Sequence, residues 1–174
     1  MAENDSAQSI MRTLLKLAKQ LVIMLLVFTL VSVAVDIWRS KDINTMDLPN
    51  IKALTIDGTQ VDVIAMSYEQ PVLVYFWGTW CPVCRLVSPA VDMMSQHYFV
   101  VTLAMRSGNK QTLSQYLQHK QLGFSVVNDP RGQYSRLWSV QVTPTIMIIK
   151  NGQLQYFTSG FTSLPGMWWR MWMA

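Results

Sequence analysis

VLVYFWGTWCPVCR, residues 72–85, decides how this chain folds. Val72 to Trp77 is apolar without polar alternation, the pattern of a central strand covered on both faces. Gly78 and Thr79 turn the chain, and a helix is predicted to start around Cys81-Pro82, because proline is tolerated in a first helical turn. After Cys84 the apolar residues Val87, Val91 and Met94 recur at helical steps of three and four. Cys81 and Cys84 are the only two cysteines of the chain. A bridge closing so short a loop restrains little of the unfolded chain, so it makes a poor structural staple. The pair reads as a redox couple or as half of a soft-metal site.

Working outward, Ile51 to Ile56 and Val61 to Ile64 flank Asp57-Gly58 as a hairpin. Tyr98 to Met105 reads as a second buried strand, Lys110 to Gln121 as a helix and Phe124 to Val127 as a short strand. Asp129-Pro130 opens a short helix through Leu137. Thr145 to Ile149 and Leu154 to Phe157 form a second hairpin around Asn151-Gly152, and a last helix follows Ser163 with Pro165 in its first turn. Strands alternating with helices, closed by a hairpin and a helix, predict an α/β fold: a central mixed sheet with helices on both faces.

The N-terminal part differs in character. Gln20 to Val35 carries no charge, and Lys16, Lys19, Arg39 and Lys41 flank it. About 20 residues suffice to cross a bilayer core, so residues 20–38 are read as a transmembrane signal-anchor. A cleaved signal peptide, with Ser32-Val33-Ala34 as its exit, and a buried helix are the competing readings. Arg12, Lys16 and Lys19 keep residues 1–19 in the cytoplasm by the positive-inside rule. Residues 39–50 form a polar linker and residues 51–174 the folded domain. Both export readings place that domain outside the cytoplasmic membrane, which in a bacterium is the periplasmic side of the inner membrane.

The net charge of +4 comes from 14 basic and 10 acidic residues, well scattered, with no dense basic stretch interleaved with aromatics. Nucleic-acid binding has no support in that pattern. Cu(I) handling is the rival to redox chemistry, since two thiolates and 12 methionines offer soft ligands. Met167, Met171 and Met173 lie among Trp168, Trp169 and Trp172 in the tail, but methionine and tryptophan at helical spacing are read as packing. His97 and His119 lack ligand-spaced companions and are read as surface or structural residues. No metal site is assigned.

With these positions in place, residues 51–174 resemble the thioredoxin fold, and within it the membrane-tethered TlpA-like thiol–disulfide oxidoreductases. The strand Val72–Trp77, the run Trp80-Cys81-Pro82-Val83-Cys84, Pro89 five residues on, Thr143-Pro144 before a strand, and Gly160 after the last strand carry the resemblance. Cys84 and Pro144 lie 60 positions apart, which fits a strand–helix insertion between Thr102 and Val127. The anchor–linker–domain order is also similar to that of the copper-sensitivity suppressor D proteins.

The resemblance implies that Cys81 is the attacking thiolate and Cys84 the resolving thiol, with no cofactor beyond their redox-active disulfide. A cysteine at a helix N-terminus has a lowered thiol pKa, in keeping with that order. Trp80, Pro82, Val83, Thr143 and a cis Pro144 would support the site; Arg85 is read as an exposed helical arginine. The implied partners are thiols and disulfides of exported proteins and a membrane electron donor or acceptor. Two departures stand out. Where many thioredoxins bury an acid beneath the cysteines this chain has Tyr75, a candidate for the proton relay with water and Glu69 as the alternatives. The glycines and acid that surround the cis-proline of cytochrome c maturation thioredoxins are missing from Ser139 to Thr145.

Overall fold

In a computed structural model, residues 16–24, 27 and 48–174 are described. Residues 16–24 are helical. Among the described residues no helix is long and apolar enough to cross a membrane; most of the predicted anchor 20–38 and linker 39–50 lies outside them. The chain divides into two compact units, Met1–Lys41 and Asp42–Ala174. The second unit carries both cysteines and, among the described residues, every strand.

Strand β3 (Val72–Trp77) is the axis of the fold, and all six of its residues are buried. Side chains of a strand alternate between faces. Leu73, Tyr75 and Trp77 accordingly enter one core, and Val72, Val74 and Phe76 enter the other. The first core receives α2 (Pro82–Ser95), α3 (Lys110–Lys120) and α5 (Leu164–Met173); the second receives α1 (Val63–Glu69) and α4 (Gln133–Leu137). Burying one such side chain contributes about 1.5–3 kcal/mol, so a run of six fully covered residues suffices to fix the strand at the centre.

Around β3 the sheet runs β5–β4–β3–β6–β7, with β4 (Phe99–Met105), β5 (Val126–Asp129), β6 (Thr145–Lys150) and β7 (Gln153–Ser159). β3, β4 and β5 are parallel, while β6 and β7 are antiparallel to their neighbours. This is the mixed, two-faced sheet that the sequence predicts. The stretch expected to hold the insertion carries α3 and leads into β5, the edge of the sheet. A separate hairpin, β1 (Lys52–Leu54) with β2 (Gln60–Asp62), turns through Gly58 at φ +93°.

Three boundaries depart from expectation, each for a local reason. Val61–Ile64 does not continue as a strand: Asp62 accepts from Ala65 N–H at 2.9 Å and starts helix α1 there. Phe124 is not in a strand, because its N–H and that of Gly123 donate to the Asp92 carboxylate of α2 at 3.0 and 2.6 Å. β5 therefore begins at Val126. Asp129 ends that strand instead of opening a helix, and its carboxylate reaches forward to Gln133 N–H and Ser135 N–H, so α4 starts only after Gly132.

Candidate active site

The two cysteines lie where β3 hands over to α2. Cys81 is the N-cap of α2, and Pro82 occupies the first turn. Cys81 N–H donates to the Gly78 carbonyl at 3.1 Å, closing the turn between strand and helix. Cys81 and Cys84 are joined in a disulfide, with Cα atoms 5.3 Å apart. Cys84 N–H donates to Cys81 Sγ at 3.2 Å. That bond, together with the positive end of the helix dipole, favours negative charge on Cys81 Sγ when the bridge is open. Cys84 is completely buried, whereas Cys81 keeps 3% exposure, so only Cys81 meets an incoming group.

Opposite the bridge, the Thr143–Pro144 peptide bond is cis, and the Thr143 carbonyl oxygen lies 3.6 Å from Cys81 Sγ. Gly160 N–H donates to the Pro144 carbonyl at 2.8 Å, holding this loop to the end of β7. Thr143, Pro144 and the cysteines, distant in sequence, are thus brought together. Pro82, Val83 and Arg85 sit on the exposed side of the first helical turn.

Trp80 is half-exposed at 54%, with its Nε1–H donating to the Met105 carbonyl at 3.1 Å. Thr79 N–H donates to Ser107 Oγ at 3.0 Å, and Ser107 Oγ in turn donates to the Met105 carbonyl at 2.9 Å. The turn before Cys81 is therefore strapped to the end of β4. Sequence reading misses Ser107 and Met105, since nothing in a lone serine after a strand announces the contact.

Beneath the helix, Tyr75 is fully buried. Its hydroxyl lies 3.1 Å from Ser88 Oγ and 3.4 Å from the Cys84 carbonyl oxygen. Burial pushes the phenol pKa well above its ordinary value near 10, and the Ser88 hydrogen bond offsets only part of that. The phenol stays neutral, which makes it a hydrogen-bonding group rather than a ready proton acceptor. Glu69 ends α1, before β3, while the cysteines follow β3. A six-residue strand spans about 20 Å, so Glu69 is at the wrong end to relay protons.

His97 and His119 are exposed, and among the described residues no group of three His, Cys, Asp or Glu side chains could hold a metal. Met167 and Met171 are buried in the core that contains both cysteines. Trp168, Trp169, Trp172 and Met173 are not packed as predicted but 50–66% exposed, because the one-turn step from Met167 to Met171 claims the inward face.

Residues 45–157 match the AhpC/TSA family. The chain belongs to that family. A "Thioredoxin-like protein" of Haemophilus influenzae is 33% identical over 160 residues, covering 91% of this chain and 95% of that protein. A "Thiol:disulfide interchange protein DsbE homolog" of Paracoccus denitrificans is 28% identical over 105 residues, 59% of this chain but only 58% of its own length. The crystal structure of a secreted Mycobacterium tuberculosis disulfide oxidoreductase homologous to E. coli DsbE superposes with a TM-score of 0.61 at 18% identity. It covers 71% of this chain and 96% of that one, and shows the shared fold. The activity named among these relatives and neighbours is thiol–disulfide exchange.

Proposed function

We propose that this protein exchanges disulfides with exported proteins outside the cytoplasmic membrane, tethered there by residues 20–38. The observation that carries the chemistry is the asymmetry of the bridge: Cys81 at the helix start with residual exposure, Cys84 sealed one turn behind it. Cys81 thiolate attacks a substrate disulfide, a mixed disulfide forms and one substrate thiolate leaves. Cys84 gives up its proton and attacks the Cys81 sulfur, releasing the second substrate thiolate. The enzyme is oxidised and the substrate reduced by two electrons; the reverse sequence oxidises a substrate dithiol. Trp80, Val83 and Thr143 line the approach to Cys81, and Pro82 and Pro144 shape it. A membrane-held donor or acceptor resets the couple.

The tether draws support from the Haemophilus relative, whose 91% coverage leaves about 16 residues unmatched, fewer than the 47 before Leu48. The likeness therefore extends into the N-terminal apolar part. A link to copper tolerance would run through repair of thiols that copper oxidises. Cu(I) delivery draws less support, because two of the three tail methionines, Met167 and Met171, are committed to the core and only Met173 is exposed.

Two measurements test the proposal. Cys84→Ala in the full chain should leave exported proteins trapped on Cys81 as mixed disulfides in a Gram-negative host. Once the outer membrane is opened and trapped species are released with a membrane-impermeant reductant, a membrane-impermeant maleimide should label Cys81 of that variant. Absence of trapped species in cells exporting cysteine-containing proteins refutes the exchange reading, and labelling only after lysis refutes the location.

A further inference from the structure

One buried polar pair plays no part in the exchange chemistry itself. Tyr75, beneath the active-site helix, and Ser88, on that helix's inner face, are 0% and 1% exposed. Ser88 immediately precedes Pro89, the proline inside α2. Proline has no N–H, so the Arg85 carbonyl four residues back loses its intrahelical donor and the ring presses the helix open there. The first turn, which holds Cys84, is therefore joined to the rest of α2 by fewer backbone bonds than an ordinary helix provides.

Tyr75 reaches this weak point from β3. Its hydroxyl is 3.1 Å from Ser88 Oγ and 3.4 Å from the Cys84 carbonyl oxygen. One proton assignment satisfies both buried donors: Ser88 O–H donates to Tyr75 Oη, and Tyr75 O–H donates to the Cys84 carbonyl. The ring itself is held against Trp77, stacked at 6.4 Å, and Phe124, edge-on at 6.4 Å. A rigid strand thus grips the backbone of the resolving cysteine and the residue at the proline break through a single phenol.

Resting on the exchange reading, we infer that Tyr75 and Ser88 are positioning residues for the second chemical step: they hold Cys84 in line with the Cys81 sulfur. Cys81 is fixed independently, by its turn to Gly78 and the strap to β4. Losing the pair slows resolution and spares the first attack.

The reduced full chain in detergent, mixed with one equivalent of a chromogenic nitrobenzoate disulfide, separates the two steps. Cys81 attack breaks the reagent's S–S bond and releases one coloured thiolate. Cys84 attack on the resulting mixed disulfide forms the Cys81–Cys84 bond and releases the second. Tyr75→Phe, which keeps the ring, should slow the second release by about five- to tenfold, the scale of one lost hydrogen bond, and change the first by less than about twofold. Ser88→Ala should show the same selective slowing, and the double variant little more, since the two act as a unit. The pH midpoint of the first release should not move. Equal slowing of both phases, or of neither, overturns the inference; should Tyr75→Phe fail to fold, Ser88→Ala decides alone. If the unaltered protein releases no second thiolate, the exchange reading itself fails.

Discussion

Replacing Gly78 by alanine tests the strap over the active site at one atom. A Cβ built on Gly78 would sit 2.7 Å from Trp80 Cε2 and Nε1. The indole must retreat by about 0.7 Å to regain an ordinary 3.4 Å contact. That movement stretches its 3.1 Å hydrogen bond to the Met105 carbonyl beyond useful range. The loss is small, about 1 kcal/mol, because the Met105 carbonyl keeps Ser107 Oγ as a donor and the half-exposed indole N–H finds water. Alanine also narrows the unfolded ensemble, returning about 0.4–1 kcal/mol. A net destabilisation of about 0–1 kcal/mol follows, read as a small shift of the urea midpoint at unchanged slope. The active site should respond more than the stability does: the uncovered indole changes its fluorescence, and the first thiolate release in the two-phase assay changes rate. In a Trp80→Phe background, which already lacks the bond, Gly78→Ala should add almost nothing. A loss above about 3 kcal/mol, or additive effects in that cycle, refutes the reasoning.

Two further outcomes concern acidic residues away from the cysteines. Asp129→Ala strands Ser135 N–H and Oγ in a buried site, while Gln133 N–H can be rehydrated; the expected cost is about 2–3 kcal/mol in urea unfolding, with both phases of thiolate release unchanged. Asp62 has its carboxyl held below the ordinary range by Ala65 N–H, with Asn50 and Lys52 adding to it. A carboxyl depressed in the folded state stabilises it above its unfolded pKa, near 3.8, and that contribution fades as pH falls through the lower folded value. Asp62→Asn should therefore flatten the acid limb of the stability profile below about pH 4, and an unchanged limb counts against the assignment.

The fold is legible in the sequence wherever burial is uninterrupted or a turn demands particular residues. Val72–Trp77 announces itself because both its faces are apolar, and Asn151-Gly152 because a tight hairpin needs those residues. The proximity of Cys81 and Cys84 follows from helix geometry alone. The departures share another origin: side chains, some near and some distant in sequence, that claim backbone donors. Asn50 accepts from Ile64 N–H at 3.2 Å and Asp62 from Ala65 N–H, turning a β-branched stretch into helix α1. Asp92 does the same to Phe124. The tail departs for a different reason: Met and Trp at helical spacing read as one packing group, yet a ten-residue helix against a flat core buries one stripe only. The contact of Tyr75 with Ser88 is invisible for a simpler reason, since no local pattern says which strand residue lies under which helical turn.

The edges of the sheet carry a consequence for any extended chain that meets this protein. Extended polypeptide seeks free strand borders, and a catalyst that offered one would be annexed by its own clients. On one border, Ile56 N–H donates to the Val126 carbonyl at 2.8 Å, so the β1–β2 hairpin stands guard over β5. On the other, the ladder between β6 and β7 loses register at Ile148/Ile149, and such an irregularity bends a border away from flatness. Both sheet borders are thus modified where an extended chain would otherwise add a strand.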